Sequence, residues 1–208
     1  MTKVAVVTAG LGVPSSSRML ADVLSDALEG ELSVSGQDVT IDVLELRDYA
    51  VEIAHHLVSG FAPPALAAAS RNVTDADALI VVSPVFSGSY SGLFKSFFDV
   101  LDNTALEGMP VLLGATGGSP RHALVLEHAM RPLFSYLRAR VAPTAVYAAP
   151  QDWGASADNE PALEQRSRRA AREVAGMLVG QSPARPSHQL EPSAPFEELL
   201  ARIQTRTS

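Results

Sequence analysis

Apolar residues recur along the chain in two patterns that alternate with each other. Continuous apolar runs, such as Ala78–Val82 and Val111–Ala115, have the length of buried strands and are too short for helices. Between such runs, apolar positions repeat every three to four residues, as they do from Leu20 to Leu28, which is typical of helices packed on one face. Strands alternating with helices predict an α/β fold with a parallel sheet covered on both faces.

The pattern predicts five strands and the helices between them. Strands are expected at residues 3–8, 39–46, 78–82, 111–115 and 141–148. Helices are expected at about residues 16–28, 93–103, 121–137 and 162–179. Residues 47–71 are expected to form either two short helices or one interrupted helix. Pro84 is expected to end the third strand, because proline cannot donate to a central ladder.

The last 28 residues have a different texture from the rest of the chain. Residues 1–180 are predicted to form one domain, followed over 181–208 by a linker rich in proline and serine and a short amphipathic helix at 196–203. This tail would either pack on its own domain or a sister subunit, or dock on another protein.

The amino-acid composition argues against several classes of function for this chain. The net charge of −7 disfavours a nucleic-acid partner, and the absence of cysteine excludes disulfides, thiol nucleophiles and thiolate metal sites. His55 and His56 are adjacent and cannot share one helix face, so no metal site is expected. Without an apolar run of membrane-spanning length or a signal-like N-terminus, the chain is predicted to be soluble and cytoplasmic.

The first predicted strand is followed by a loop that enters a helix through three serines. Ser15 or Ser16 is a natural N-cap, the hydroxyls of 15–17 are possible donors, and Arg18 adds a charge-assisted donor. The dinucleotide fingerprint fits poorly because Pro14 and Ser15 occupy its tight turn, and the P-loop pattern lacks its lysine. The loop therefore indicates either a mononucleotide phosphate site or a capped helix with surface serines.

Two further loops follow the third and fourth predicted strands. Small residues in 84–92 would let a flat ring approach the backbone, and tyrosine stands where a hydrolase elbow requires serine. The consecutive glycines of 116–119 would either expose backbone N–H groups to an anionic ring edge or form an ordinary tight turn. Because the carboxyl ends of parallel strands converge on one crevice, the three loops together predict a single ligand site.

Three motifs at these loops resemble the NAD(P)H-dependent FMN reductases of flavodoxin-like fold. They are Val13–Arg18, Ser83–Asp99 and Gly114–Ser119, and the resemblance extends from residue 3 to about residue 150. In particular, the chain resembles reductases that supply reduced FMN to two-component sulfonate and luciferase-like monooxygenases. This resemblance implies a three-layer sandwich whose five-stranded parallel sheet has the order 2-1-3-4-5.

The resemblance also implies which residues bind the cofactor. Ser15, Ser17 and Arg18 would hold the FMN phosphate. The isoalloxazine would lie between the second and third loops, against Pro84, Val85, Phe86, Gly88, Ser89, Thr116, Gly117 and Gly118. Hydride would pass directly from NADPH or NADH to FMN, so no catalytic side chain is expected. A homodimer or homotetramer and a flavin-dependent monooxygenase partner are further implications.

Other flavoprotein functions remain open. The same hydride chemistry could serve quinones, azo compounds or metal oxyanions. An electron-transfer flavodoxin is less favoured, because the single tryptophan, Trp153, is expected to lie outside the three loops and provides no ring-stacking anchor there.

The resemblance also bears on assembly. His128 falls in a helix where some of the similar FMN reductases carry an inserted residue at a tetramer interface.

Overall fold

The computed structural model describes residues 1–153 and 162–180, which form a three-layer α/β sandwich. The strands are β1 (Thr2–Thr8), β2 (Val39–Glu45), β3 (Ala78–Phe86), β4 (Ser89–Tyr90), β5 (Pro110–Thr116), β6 (Arg140–Val141) and β7 (Val146–Ala148). The helices are α1 (Ser16–Val34), α2 (Ala50–Ser59), α3 (Pro64–Thr74), α4 (Gly92–Asp99), α5 (Arg131–Tyr136) and α6 (Ala162–Leu178). The tail predicted at 181–208 lies outside the described residues.

The sheet confirms the predicted fold class and differs in detail. Its path is β2-β1-β3-β5-β6 with parallel neighbours throughout, which is the flavodoxin-like order when the strands on the path are counted in sequence. The predicted fifth strand is interrupted into β6 and β7, both parallel to β5, and Pro143 lies in the break, where it has no N–H to donate. The short β4, which was not predicted, pairs antiparallel with the end of β3 and lies off this path, so the five-stranded parallel sheet is confirmed.

The prediction that Pro84 ends the third strand is wrong, because β3 continues through Pro84 to Phe86. Strand β1 stops alongside β3 at the Thr8–Val82 pair, whereas β5 continues to the pair of Pro84 with Thr116. Beyond Val82, β3 therefore has no partner from β1 on that edge, and proline is tolerated at such an edge. The extension brings Pro84 beside Thr116 at the carboxyl edge of the sheet.

The two faces of the sheet bury different cores. On the face of α1 and α6 the buried side chains are mainly aliphatic, with Leu20 and Leu24 from α1 packed on the sheet. The other face contains a cluster of phenylalanines, in which Phe98 lies 4.8 Å from Phe94 and 4.9 Å from Phe134 between ring centroids. Within the two described stretches, no helix is both long and apolar enough to cross a bilayer.

The segment predicted as one helix from 121 to 137 is not a continuous α-helix. It contains a 3-10 turn at Pro120–His122 and a π-helical turn at Leu126–Met130 before α5 begins. In the π turn, the Arg131 N–H donates to the carbonyl of Leu126, five residues earlier. Pro132 has no N–H for an α-helical bond at this point, which favours the wider turn.

Candidate functional site

The carboxyl ends of β3, β5 and β7 surround one open cleft with a volume of about 430 Å³. Most of the ring-binding residues expected from the sequence line this cleft: Pro84, Val85, Phe86, Thr116, Gly117 and Gly118. Gly88 and Ser89 are not among its lining residues and lie in the hairpin that turns back after Phe86. The second and third loops therefore meet, as the convergence of strand ends predicted.

The loop between β3 and α4 is a fixed hairpin. Ser87 and Gly88 connect β3 to β4 with φ values of 49° and 83°, the left-handed conformations that a two-residue hairpin turn uses. The buried hydroxyl of Ser83 accepts a hydrogen bond from the Ser91 N–H at 2.9 Å, and the Ser91 side chain caps α4. These bonds hold the backbone of residues 84–86 in place along the cleft.

The loop at 116–119 depends on a glycine in close contact with a tyrosine. The Tyr147 hydroxyl donates to the Ser119 carbonyl at 2.8 Å, and a Cβ built on Gly117 would overlap that hydroxyl. A Cβ on Gly118 would meet nothing within 4 Å. The Gly117 N–H donates to the Ala148 carbonyl at 3.2 Å, so of the two alternatives for this loop the exposed N–H does not hold at Gly117.

Tyr147 is suited to hold this loop because its hydroxyl stays protonated. Its side chain is buried, and this burial raises the pKa of Tyr147 above its ordinary value. The negative charge of Asp152 raises the pKa further, as a smaller effect. An ordinary tyrosine is already protonated at neutral pH, and the raised pKa extends to higher pH the range in which the phenol donates to Ser119. The glycine loop is fixed by a neutral donor and by steric contact.

The first loop confirms the predicted helix cap. The Ser15 side chain accepts a hydrogen bond from the Arg18 N–H at 3.2 Å, and α1 starts at the next residue, Ser16. The Ser17 hydroxyl is 1% exposed and shares a 2.8 Å hydrogen bond with the Thr116 hydroxyl. Ser17 thereby joins the first loop to the end of β5. The N–H groups of Ser16 and Ser17 belong to the first turn of α1, where no helical carbonyl can accept them.

Arg18 points into a small network of charges. Its guanidinium contacts Asp22 at 2.8 Å and Glu45 at 3.1 Å, and its side chain is 38% exposed. The hydrogen bond that Arg18 donates to Asp22 and the negative charges of both carboxylates raise the pKa of Arg18. Glu45 also pairs with Arg47 at 2.6 Å, and Arg47 donates to the carbonyl of Gly12. Any anion that binds Arg18 must therefore share it with two carboxylates.

The structure adds residues to the cleft that sequence reasoning missed. They are Ala148, Pro150 and Trp153, and they line the cleft together with Ser16 of the predicted serine run. The expectation that Trp153 lies apart from the ring-binding loops is wrong, because the turn Pro150–Trp153 after β7 returns the chain to the cleft. The same rule that singled out the loops after the other strands would have found it, since β7 also ends at the carboxyl edge.

The parallel sheet, the cleft at its carboxyl edge and the N-terminus of α1 beside it are the features of an α/β nucleotide-binding fold, and they fit a mononucleotide with a flat ring. Residues 2–154 match the family described as NADPH-dependent FMN reductase. The chain belongs to this family. The motif resemblance seen in the sequence is thus confirmed, and so is its assignment to the flavodoxin-like reductases of FMN.

Relatives of known name agree with this assignment. The chain is 43% identical over 182 residues to an FMN reductase (NADPH) of Pseudomonas aeruginosa, covering 86% of this chain and 94% of that protein. It is 39% identical over 176 residues to the NADH-dependent FMN reductase SfnF of Pseudomonas fluorescens, covering 85% and 91%. The crystal structure of an oxidoreductase from Corynebacterium diphtheriae superposes with a TM-score of 0.83 at 41% identity, covering 88% and 99%.

Proposed function

We propose that this chain reduces FMN with NADPH or NADH and releases the reduced flavin to a partner monooxygenase. The observation that carries the proposal is the cleft in which Pro84, Phe86 and Gly117 lie together next to the N-terminus of α1. Bound there, FMN would accept a hydride from the nicotinamide, so the protein needs to orient two rings and to supply no acid or base.

The residues of the cleft fit the two ends of FMN. The first turn of α1, capped by Ser15, offers the N–H groups of Ser16 and Ser17 to the phosphate, and Arg18 adds positive charge. The ring fits beside the loops after β3 and β5, where Gly117 keeps the cleft free of a side chain that would displace Tyr147. The hairpin positions of Gly88 and Ser89 would support this wall from behind Phe86.

The steady-state rate of NADPH and NADH oxidation, measured with and without added FMN, tests the reductase function. We expect the rate to saturate with free FMN, because the cleft is open and Phe86 at its wall is 45% exposed. FMN that stays bound through purification, with no gain in rate from added FMN, would contradict exchange. That result would favour reduction of quinones, azo compounds or metal oxyanions, or a flavodoxin-like electron carrier.

Delivery to a monooxygenase is the finer part of the proposal. It is supported by the motifs at 13–18, 83–99 and 114–119, which resemble those of reductases serving two-component monooxygenases. The proposal places the reaction in the cytoplasm, where nicotinamide dinucleotides are supplied. A two-component flavin monooxygenase supplied only with NAD(P)H, FMN and this chain should turn over its substrate. Failure of that coupled reaction, with the reductase itself active, would restrict the function to flavin reduction.

We also propose a homodimer or homotetramer. A groove of about 620 Å³ lies between α4 and α5, next to the π turn that contains His128, and Tyr136 at its side is 72% exposed. An exposed aromatic beside such a groove suits a protein contact. Light scattering of the purified chain should give the mass of two or four copies, and Tyr136→Ser should reduce it. A monomeric wild type would overturn this part.

A further inference from the structure

The turn after β7 forms a fourth wall of the cleft that no motif in the sequence marks. Ala148, Pro150 and Trp153 line the cleft together with Gly117 and Gly118. Trp153 is partly buried against the aliphatic core, so its indole has an anchored side and a side toward the cleft. It is the single tryptophan of the chain.

This turn is held by a carboxylate that uses both of its oxygens. The Asp152 Oδ2 accepts the Ala149 N–H at 2.8 Å, and its Oδ1 accepts a hydrogen bond from Arg166 of α6 at 2.7 Å. The same Arg166 nitrogen lies 3.2 Å from the Tyr147 carbonyl. The Asp152 side chain is 16% exposed and the Arg166 side chain 43%, so the carboxylate is mostly buried while the guanidinium is partly open to water.

The turn and the glycine loop form one unit. The Gly117 N–H donates to the Ala148 carbonyl, and the Tyr147 hydroxyl donates to the Ser119 carbonyl, so β7 is bonded to the loop at Gly117 and at Ser119. The position of Trp153 relative to Gly117 is therefore set by short hydrogen-bonded paths. A large flat side chain held at a fixed place beside a ring-sized cleft suits contact with another flat ring.

We propose that Trp153 contacts the flavin ring in this cleft, and that Asp152 and Arg166 are positioning residues that hold it there. The inference rests on the proposed FMN site and deepens it. An indole in contact with the isoalloxazine adds aromatic contact area to FMN binding. It also quenches flavin fluorescence by transferring an electron to the excited ring, a process that falls off within a few ångströms and that phenylalanine does not support.

The test compares wild type, Trp153→Phe and Trp153→Ala by the dissociation constant of FMN and the fluorescence lifetime of bound FMN. Trp153→Ala should raise the dissociation constant about tenfold through lost ring contact. Trp153→Phe should keep the dissociation constant within about threefold of wild type while lengthening the lifetime. The matched control is Phe61→Ala, which removes an aromatic side chain that is 77% exposed at the end of α2 and should change neither quantity.

The positioning pair is tested by Arg166→Gln and by Arg166→Lys. Glutamine should lengthen the lifetime of bound FMN because Trp153 is no longer held, and lysine, which keeps the charge beside Asp152, should restore part of the wild-type lifetime. A merely structural pair would lower thermal stability without moving the lifetime. The Phe variant guards against loss of folding in the Ala variant, since it preserves an aromatic side chain against the core.

The outcomes separate the two levels of the proposal. If wild type does not bind FMN at all, the proposed function itself fails. If wild type binds FMN and reduces it, but both Trp153 variants keep the wild-type dissociation constant and lifetime, the ring contact is overturned while the FMN site stands. If the Trp153 variants respond and the Arg166 variants do not, the positioning role is overturned.

Discussion

The first loop and the glycine loop lie at the same edge of the sheet, yet different forces hold them. Beside the first loop lies a network of ion pairs, in which Arg18 contacts Asp22 and Glu45 and Arg47 contacts Glu45, at side-chain exposures between 18% and 50%. The glycine loop is held by neutral hydrogen bonds and by the contact of Gly117 with Tyr147.

This difference matches the two ends of the proposed ligand. A phosphate needs positive charge and free N–H groups, and an exposed ionic network can rearrange to provide them, at the cost of sensitivity to salt. A ring needs a wall of fixed shape, which close packing supplies. The Ser17–Thr116 hydrogen bond joins the first loop to the glycine loop. The rigid glycine loop therefore fixes the position of the first loop, whose ion pairs can rearrange.

Gly117→Ala, in the rigid glycine loop, should have the largest effect on the free energy of unfolding. Its Cβ would displace the Tyr147 hydroxyl from Ser119, and overpacking of this kind costs about 2 to 3 kcal/mol in the free energy of unfolding. Denaturant unfolding measures that loss, and an FMN titration should show weaker binding. Gly118→Ala is the matched control and should cost no more than about 0.5 kcal/mol, since a Cβ there meets open space. Equal effects at the two glycines would contradict a rigid ring end.

Arg18→Ala should have a smaller effect that depends on salt. If Arg18 binds the phosphate, its removal should weaken FMN binding by about 1.5 kcal/mol, at the low end for a charged hydrogen bond because the side chain is exposed and already shared with carboxylates. Titrations at low and high ionic strength should show the difference shrinking with added salt. Arg172→Ala, which removes the same charge from a distant pair with Glu31, is the control. A loss that does not change with salt would count against an adjustable, ionic first loop.

The two ends also differ in how far the sequence reveals them. The apolar runs predicted the fold class, and the serine run predicted the helix cap at Ser15. The convergence of strand ends predicted that residues 84–86 meet residues 116–118. The pairing of Arg18 with Glu45 joins residues from β2 and α1 that only the sheet order brings together. Trp153 was misplaced because it lies outside the three loops rich in glycine and serine, although the turn after β7 follows a strand end just as those loops do. Long-range contacts of single side chains are what the pattern does not contain.

Tyr147→Phe should have the smallest effect, and its pH dependence identifies the cause. Removing the hydroxyl loses one neutral hydrogen bond to Ser119, about 1 kcal/mol of the free energy of unfolding at neutral pH. Because the folded chain raises the pKa of Tyr147, the stability that its proton contributes is complete below the unfolded value of about 10 and is lost as the pH rises through the higher folded value. Denaturant unfolding of both proteins between about pH 8 and pH 11 should show the advantage of wild type disappearing at the alkaline end. The remaining tyrosines are common to both proteins and cancel in the difference. A constant gap across this range would mean that the ring end is held by the shape of the side chain alone and not by the donated proton.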